Sequence, residues 1–483
     1  MTITVEVEIS NREIESFGAL ISTAFALAME FGRKLVVQAL ELRDQELAQS
    51  RDKKRFRCKG MRQTSIKTKL GAIEYSRNVY VDSAAPEGRK CVYLLDEEME
   101  IEKVGLVSED VCRVAATAVC ESTYRGAAKM ITETTGLSIS GQGVWNIIQK
   151  LGEKRETQVE HQAKQAANHQ GGGIVESKLL YEENDGIWLK LQGESRKKYG
   201  SGKEMKVGIA YDGAIWQIGK GKKKRRTLDC KVAYASFENA RDFMRNKEGL
   251  VASRFNVDEI ELRVINGDGA QWIQKHGDTD CISVLDKFHR NQKITECVRD
   301  PEFAALVREL LYAGKIKDVL TCIEAQMNSV ADEQEKAALG ELYSYYANNE
   351  SALLGYYDRG ITIPETRKPG EIHHARLGSM ESNVFTLIGN RMKGRRACWS
   401  EDGANHLALI LCAYHTTGLE TMFAASPAPA TTCDKPDIDP KASAGNTPQK
   451  EGHGYRFWNC GTISAEWARG VAGMKSFAKM SYT

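Results

Sequence analysis

The chain has 483 residues, 42% hydrophobic and 27% charged, with 67 Lys and Arg against 65 Asp and Glu. That length predicts several domains, and a net charge of +2 gives no whole-chain sign of a nucleic-acid partner. Twelve cysteines without a C-x-x-C pair exclude a zinc ribbon and a disulfide scaffold, and Cys58 and Cys91, flanking a β segment, lack further metal partners.

The opening "MTITVEVEISNREIE" is acidic and lacks the apolar core of a signal peptide, and no run approaches the ~20 apolar residues of a membrane span. A cytoplasmic, nucleoid-associated bacterial protein is expected. Helical spacing of Ile14, Phe17, Leu20, Ile21 and Phe25, then Leu35, Val36, Ala39 and Leu40, predicts a helix over 11–50 capped by Asn11. After the basic "RDKKRFRCKGMR", the segment "QTSIKTKLGAIEYSRNVYVD" alternates apolar and polar residues around Leu70-Gly71, as a β-hairpin does. Residues 105–152 carry two helical patterns split by "TTGLSIS", a helix-turn-helix outline. Ser140 would cap the second helix, whose Gln142, Trp145 and Asn146 are of types that read bases.

From about residue 173 strands dominate. "KLLYEENDGIWLKLQ" reads as strand, Asn-Asp-Gly turn, strand; "KEMKVGIAYDGAIWQIG" and "TLDCKVAYASFE" add more. A helix follows in "ENARDFMRNKEGLVASRF". The apolar runs Leu262–Ile265 and Cys281–Leu285 then each deliver an acid to a strand end, Asp268 and Asp286. Residues 300–356 are helical, 360–378 loop, and 380–393 and 403–418 helical again. Prolines 427, 429, 436, 440 and 448 mark a linker or tail, with Tyr455, Phe457, Trp458 and Trp467 beyond it. The fold class is α/β, a mixed sheet with helices on its faces.

Three acids stand out: Asp185 at the expected Asn-Asp-Gly turn, Asp268 at a strand end, and Glu381 opening a helix. Acids at the strand ends of one sheet converge where open α/β sheets bind ligands, and clustered carboxylates call for divalent cations, Mg²⁺ or Mn²⁺. Taken singly, each acid reads as a turn or helix-start residue, and Glu182 and Glu183 compete with Asp185. Basic clusters accompany them. Six Lys or Arg fall within 220–226, including Lys222, Lys223, Lys224, Arg225 and Arg226; four more are Arg391, Lys393, Arg395 and Arg396, followed by Trp399. Such clusters bind phosphate, and an aromatic side chain stacks on a splayed base. The alternative for the first cluster is a solvated surface run.

The motifs "NDGIWLKLQ", "INGDGAQWI", "LDKFHR" and "GSMESNVFTLIGNRMKGRRACWS", with "TSIKTKLGAIEYSRNVYVD", "VYLLDEEMEI" and "STYRGAAKMI", resemble the DDE transposases of bacterial insertion sequences, ISLre-two type. Mutator-like transposases are similar at greater distance. The resemblance covers roughly residues 40–420. It implies a ribonuclease-H-like catalytic core interrupted by a helical insertion, with Asp185, Asp268 and Glu381 as catalytic acids that hold two Mg²⁺ or Mn²⁺ ions. Asp286 and His289 match a C/D-x-x-H signature, which implies DNA contact or support of the site. Family members often show acid-Ala-Asp-Gly where this chain has Glu183-Asn184-Asp185-Gly186.

The expected organisation is an N-terminal helical region (1–60), a β-hairpin region (61–104), a helix-turn-helix region (105–172), the core's first part (173–300), a helical insertion (301–374), the core's last part (375–424) and a Pro-rich tail (425–483). The expected function is metal-dependent cleavage and strand transfer at the ends of an insertion sequence, with terminal inverted repeats and target DNA as partners, in a homo-oligomer. A DNA-binding protein descended from a transposase would keep the basic clusters without needing the acids. A carboxylate hydrolase would need neither metal nor basic clusters.

Overall fold

A computed structural model describes residues 15–85, 91–101, 103–104, 106–218, 224–274, 281–394 and 396–423. Helix α1 (Phe17–Ser50) is capped by Ser16, whose hydroxyl accepts from the Ala19 N–H at 3.1 Å; the expected cap, Asn11, lies outside the described residues. Strands β1 (Phe56–Thr68) and β2 (Gly71–Asp82) form the expected hairpin, pairing Thr68 with Gly71 across Lys69-Leu70. Gly71 has φ 114°, and a Cβ there would press on the Gly136 carbonyl, so glycine is required at this turn. Strand β3 (Cys91–Val92), helix α2 (Leu94–Glu98), β4 (Lys103–Val104) and β5 (Val107–Ser108) complete a sheet of order β3-β2-β1-β5-β4. α1 packs on the hairpin through Leu40, Ile66, Ile73 and Tyr75.

Residues 109–167 make three helices, α3 (Glu109–Glu121), α4 (Tyr124–Thr134) and α5 (Gly141–Ala167). Ser140 caps α5 as expected, accepting from the Gly143 N–H at 3.1 Å. Gln142 and Asn146 bond each other on its exposed surface. The buried residues of α3, α4 and α5 join one apolar core with the second sheet.

That second sheet holds β6 (Leu179–Lys190), β7 (Gly202–Tyr211), β10 (Val232–Ser236), β11 (Leu262–Gly267) and β12 (Cys281–Leu285), in the order β10-β7-β6-β11-β12. Helix α6 (Gly193–Tyr199) links β6 to β7; β8 (Ala214–Ile218) and β9 (Lys224–Leu228) form a separate hairpin. β6 runs antiparallel to β7 and parallel to β11, and β12 is parallel to β11. Helix α7 (Ala240–Arg254) covers one face, and α8 (Gln271–Gln274) follows β11.

One expectation is corrected here. The Asn184-Asp185-Gly186 segment is no turn: β6 is continuous, and Asp185 pairs with Val207, Gly186 with Lys206. The neighbouring strand supplies the reason. A Cβ at Gly186 would overlap the Glu204 carboxylate, so glycine admits that side chain rather than turning the chain.

Helices α9 (Lys287–Cys297), α10 (Pro301–Tyr312), α11 (Ile316–Ser329), α12 (Glu333–Asn348) and α13 (Glu350–Leu353) have a core of their own, built on Val307, Val319, Ile323, Leu342 and Tyr346. The chain returns through α14 (Met380–Val384), a π turn (Phe385–Gly389) and α15 (Asn390–Met392), then α16 (Glu401–Tyr414) and α17 (Glu420–Phe423). Single π turns inside helices occur often at functional sites. No helix of the described residues is long and apolar enough to cross a membrane.

Candidate active site

Alternation along β6 separates its acids. Glu182 and Asn184 face α7, where the buried Lys247 ammonium lies 2.6 Å from Glu182 and 2.8 Å from the Asn184 amide oxygen. Arg263 adds a second cation at 3.3 Å from Glu182. Glu183 and Asp185 face the other way.

Glu183 is fully buried and accepts from the Tyr211 hydroxyl (2.6 Å), the Asn266 amide (2.9 Å) and the Ser379 backbone N–H (3.0 Å). Burial pushes its carboxyl above the usual range, more than these hydrogen bonds pull it down. Asn266 also donates to Asp286 at 2.7 Å, so one amide ties β6, β11 and the end of β12 together.

Asp185, two residues along the same face, is half-buried and lies 3.8 Å from His289 Nε2. The imidazole is held more basic than usual, chiefly by Asp185 and further by Asp286 and Asp268, against the effect of burial. Asp268 follows directly on β11, the strand beside β6. Its side chain caps its own turn by accepting from Ala270 N–H at 2.8 Å, and its carbonyl accepts from the Tyr345 hydroxyl at 2.6 Å. The helical insertion therefore steadies the second acid directly. Glu204 is the fourth acid here. Burial raises its pKa most; Lys206 lowers it, and Asp268 and Asp185 raise it further.

The structure thus brings Asp185, Asp268, Glu204 and His289 together at one end of the sheet. Among the described residues no Lys or Arg pairs with Asp185 or Asp268. These partly buried carboxylates are of the type that binds a hard divalent ion, but among the described residues no three of them bring their ligand atoms within 4.8 Å of one another. Glu381 is exposed in the first turn of α14, which packs on β6 through Ser379 and Glu183; no contact joins its carboxylate to Asp185 or Asp268. The one sequence signal for Glu204 is Gly186, diagonal to it across the β6–β7 pair, where a Cβ would meet its carboxylate.

A different acid group, Asp212, Asp229 and Cys230, has its ligand atoms within 4.8 Å of one another. Arg367 fills it, donating to Asp212 at 2.8 Å and to Asp229. It is an internal ion pair rather than a cation site.

The basic residues divide. Arg225 is exposed on β9, and Arg226 beside it donates to the Ser379 hydroxyl. Lys224 opens β9. Lys222, Lys223 and Arg395 lie outside the described residues, as does the tail from 424 onward. Lys393 and Arg396 are exposed. Two expectations are corrected. Trp399 does not offer a stacking face: it is 7% exposed, its indole N–H donates to the Met392 carbonyl at 2.9 Å, and its backbone bridges to Leu191 beyond β6. Arg391 is a structural cation, donating to the Val119 carbonyl at 2.6 Å between the Tyr124 and Trp399 rings.

Comparison with known proteins adds the family. The model of the uncharacterised protein family UPF0236 matches residues 12–422. The chain belongs to this family. A UPF0236 protein of Caldanaerobacter subterraneus subsp. tengcongensis is 24% identical over 398 residues, covering 81% of this chain and 76% of that protein. A UPF0236 protein in the vanSb 3′ region of Streptococcus gallolyticus is 20% identical over 436 residues, covering 88% of each. The UPF0236 match spans Asp185, Glu204, Asp268 and His289.

Proposed function

We propose that this UPF0236 protein is a DDE-type DNA transposase, a metal-dependent polynucleotidyl transferase with a ribonuclease-H-like core. The observation that carries the reading is the placement of Asp185 on β6 and of Asp268 directly after the adjacent parallel β11, with no Lys or Arg paired to either among the described residues. The strand order supports it: three antiparallel strands, β10, β7 and β6, followed by β11 and β12 parallel to β6, is the arrangement expected of such a core. The helical insertion falls between the second acid and Glu381, as the resemblance implies. The name of the Caldanaerobacter relative carries eleven locus designations, as a protein encoded by a self-copying element would.

Asp185 and Asp268 would hold the divalent ions, with Glu204 beside them and Glu381 reaching in from α14. Bound there, Mg²⁺ or Mn²⁺ would supply a Lewis acid and an activated water for phosphodiester cleavage. His289 would position Asp185, while Arg226 and the exposed Arg225, Lys393 and Arg396 would neutralise backbone phosphates. Gln142, Trp145 and Asn146 on α5 remain the residues proposed to read terminal repeats.

The test is cleavage and joining of a duplex carrying the element's own ends, with Mg²⁺, by wild type and Asp268→Asn. Wild-type activity that falls by about 10³-fold or more in the variant supports the reading, since each tenfold is ~1.4 kcal/mol and a metal ligand supplies several. Binding without cleavage in both proteins identifies a DNA-binding relic. Equal cleavage in both removes Asp268 from the site.

A further inference from the structure

A cavity of about 430 Å³ lies between the β8–β9 hairpin and the segment 373–376. Its lining includes Trp216, Tyr357, Arg226, Arg376, His373 and His374, and no carboxylate. Backbone bonds between Ala214 and His373, 2.8 and 2.9 Å, fasten the two walls. His374 Nδ1 is 3.1 Å from the buried Tyr181 hydroxyl, which is 3.0 Å from that of Tyr356; Tyr356 in turn donates to the Ala375 carbonyl at 2.6 Å. The wall is therefore built on the core sheet.

Two features give the cavity a chemistry. Trp216 and Tyr357 are 45% and 51% exposed, and Tyr357 packs on Tyr356 with ring centroids 4.2 Å apart and the rings tilted by 31°. Single exposed aromatics are ordinary, but two on one cavity offer stacking faces for a flat ring. Arg226 and Arg376 bring two guanidinium groups, and among the described residues no acid pairs with Arg376. A flat ring beside an anion is a nucleotide, and the volume falls within the ~300–1,000 Å³ of small-molecule sites.

We infer that this cavity binds one unpaired nucleotide of a DNA strand, its phosphate on Arg226 and Arg376 and its base against Trp216 and Tyr357. The connection to the acids supports a strand rather than a free nucleotide. Arg226 donates to the Ser379 hydroxyl, and the Ser379 N–H donates to Glu183, two residues before Asp185 on β6. On that reading, a strand with one phosphate at Asp185 and Asp268 would run on past Glu183 and Ser379 towards Arg226 and this cavity. The assignment to a strand rests on the reading of the acid cleft as a phosphodiester site; the assignment to a nucleotide rests on the cavity alone.

The full chain would be titrated in EDTA, by calorimetry, with dAMP, deoxyadenosine and inorganic phosphate. dAMP should bind at least about tenfold more tightly than either part, and Trp216→Ala and Arg376→Ala should each weaken it about tenfold, the scale of one base stack. Both side chains are exposed, and an unchanged Tm shows that the variants fold. A duplex with a single unpaired 2-aminopurine should compete with dAMP and change its fluorescence on binding, an effect lost in Trp216→Ala. Binding of dAMP no tighter than phosphate, or unaltered in both variants, overturns the site. dAMP binding through Trp216 without competition from the duplex overturns the strand assignment and leaves a free-nucleotide site. Because no metal is present, these readings stand apart from cleavage: loss of cleavage in wild type with dAMP binding intact refutes the acid cleft and not the cavity.

Discussion

Two faces of one strand carry acids with opposite fates. On the α7 side of β6, Glu182 meets Lys247 and Arg263, both supplied by the fold. On the other side, Asp185 lies near Asp268, Glu204 and the His289 imidazole, and Lys206 acts on Glu204 but pairs with neither Asp185 nor Asp268. The difference is one residue of register. An acid that the chain neutralises itself is part of the framework; acids gathered without such a cation need one from outside. Asp212 belongs with the first kind, because Arg367 occupies the space between it and Asp229.

Substitution separates the two faces most sharply through activity. Asp185→Asn and Asp268→Asn should each remove about 10³-fold or more of any Mg²⁺-dependent cleavage. Their Tm should hold or rise, since each relieves carboxylate repulsion. Lys247→Met should do the reverse: it leaves Glu182 buried without its nearest cation and should cost about 3–5 kcal/mol, read as a large fall in Tm or denaturant midpoint. A Lys247→Met protein as stable as wild type would erase the distinction between the faces.

Arg367→Met tests the second internal pair and should cost less, about 2 kcal/mol at pH 7, because Arg367 is 25% exposed. The pH dependence has a definite sign. Burial holds the Asp212 carboxyl above the ordinary range, and Arg367 opposes that rise. A raised acid costs stability while ionised, and the cost disappears as pH falls through its folded and then its unfolded pKa. Without Arg367 the folded value rises further. The deficit of the variant relative to wild type should therefore shrink as pH is lowered from 7 towards about 4. A deficit independent of pH would show that Arg367 acts through packing alone.

The central strands were legible because buried parallel strands read as mainly apolar runs: Leu262–Ile265, interrupted by Arg263, and Cys281–Leu285, interrupted by Ser283, fall in β11 and β12, each followed by its acid. The β1–β2 hairpin and the Ser140 cap were legible from local chemistry alone. What failed depended on partners far along the chain. Asn-Asp-Gly is a strong local turn signal, yet pairing with β7 keeps it extended, and the glycine serves Glu204 instead. Trp399 follows a basic run and looks exposed, but its bridge to Leu191 and its bond to Met392 are long-range or geometric facts that no spacing reveals. Nothing local distinguishes Glu182 from Glu183; only the positions of Lys247, Tyr211 and Asn266 do.

The smallest effect should come from the basic cluster that follows Glu381. Its members have separate roles: Arg391 is bonded to Val119 and flanked by rings, whereas Lys393, two residues on, is exposed. Lys393→Ala should weaken DNA binding only a few-fold, across all sequences alike, and reduce the slope of log K against log salt by about 1, the signature of one lost phosphate contact. Arg391→Ala should lower Tm, since it removes the tie between α15 and the α3–α4 junction. Salt titration of the two variants, with Tm beside it, compares them directly. If Arg391→Ala changes the salt slope while its Tm stays fixed, that guanidinium leaves Val119 to reach phosphate, and the cluster acts as one surface. If Lys393→Ala leaves the slope untouched, α15 stands away from the DNA path, and contact with the backbone falls to the β8–β9 hairpin and its arginines.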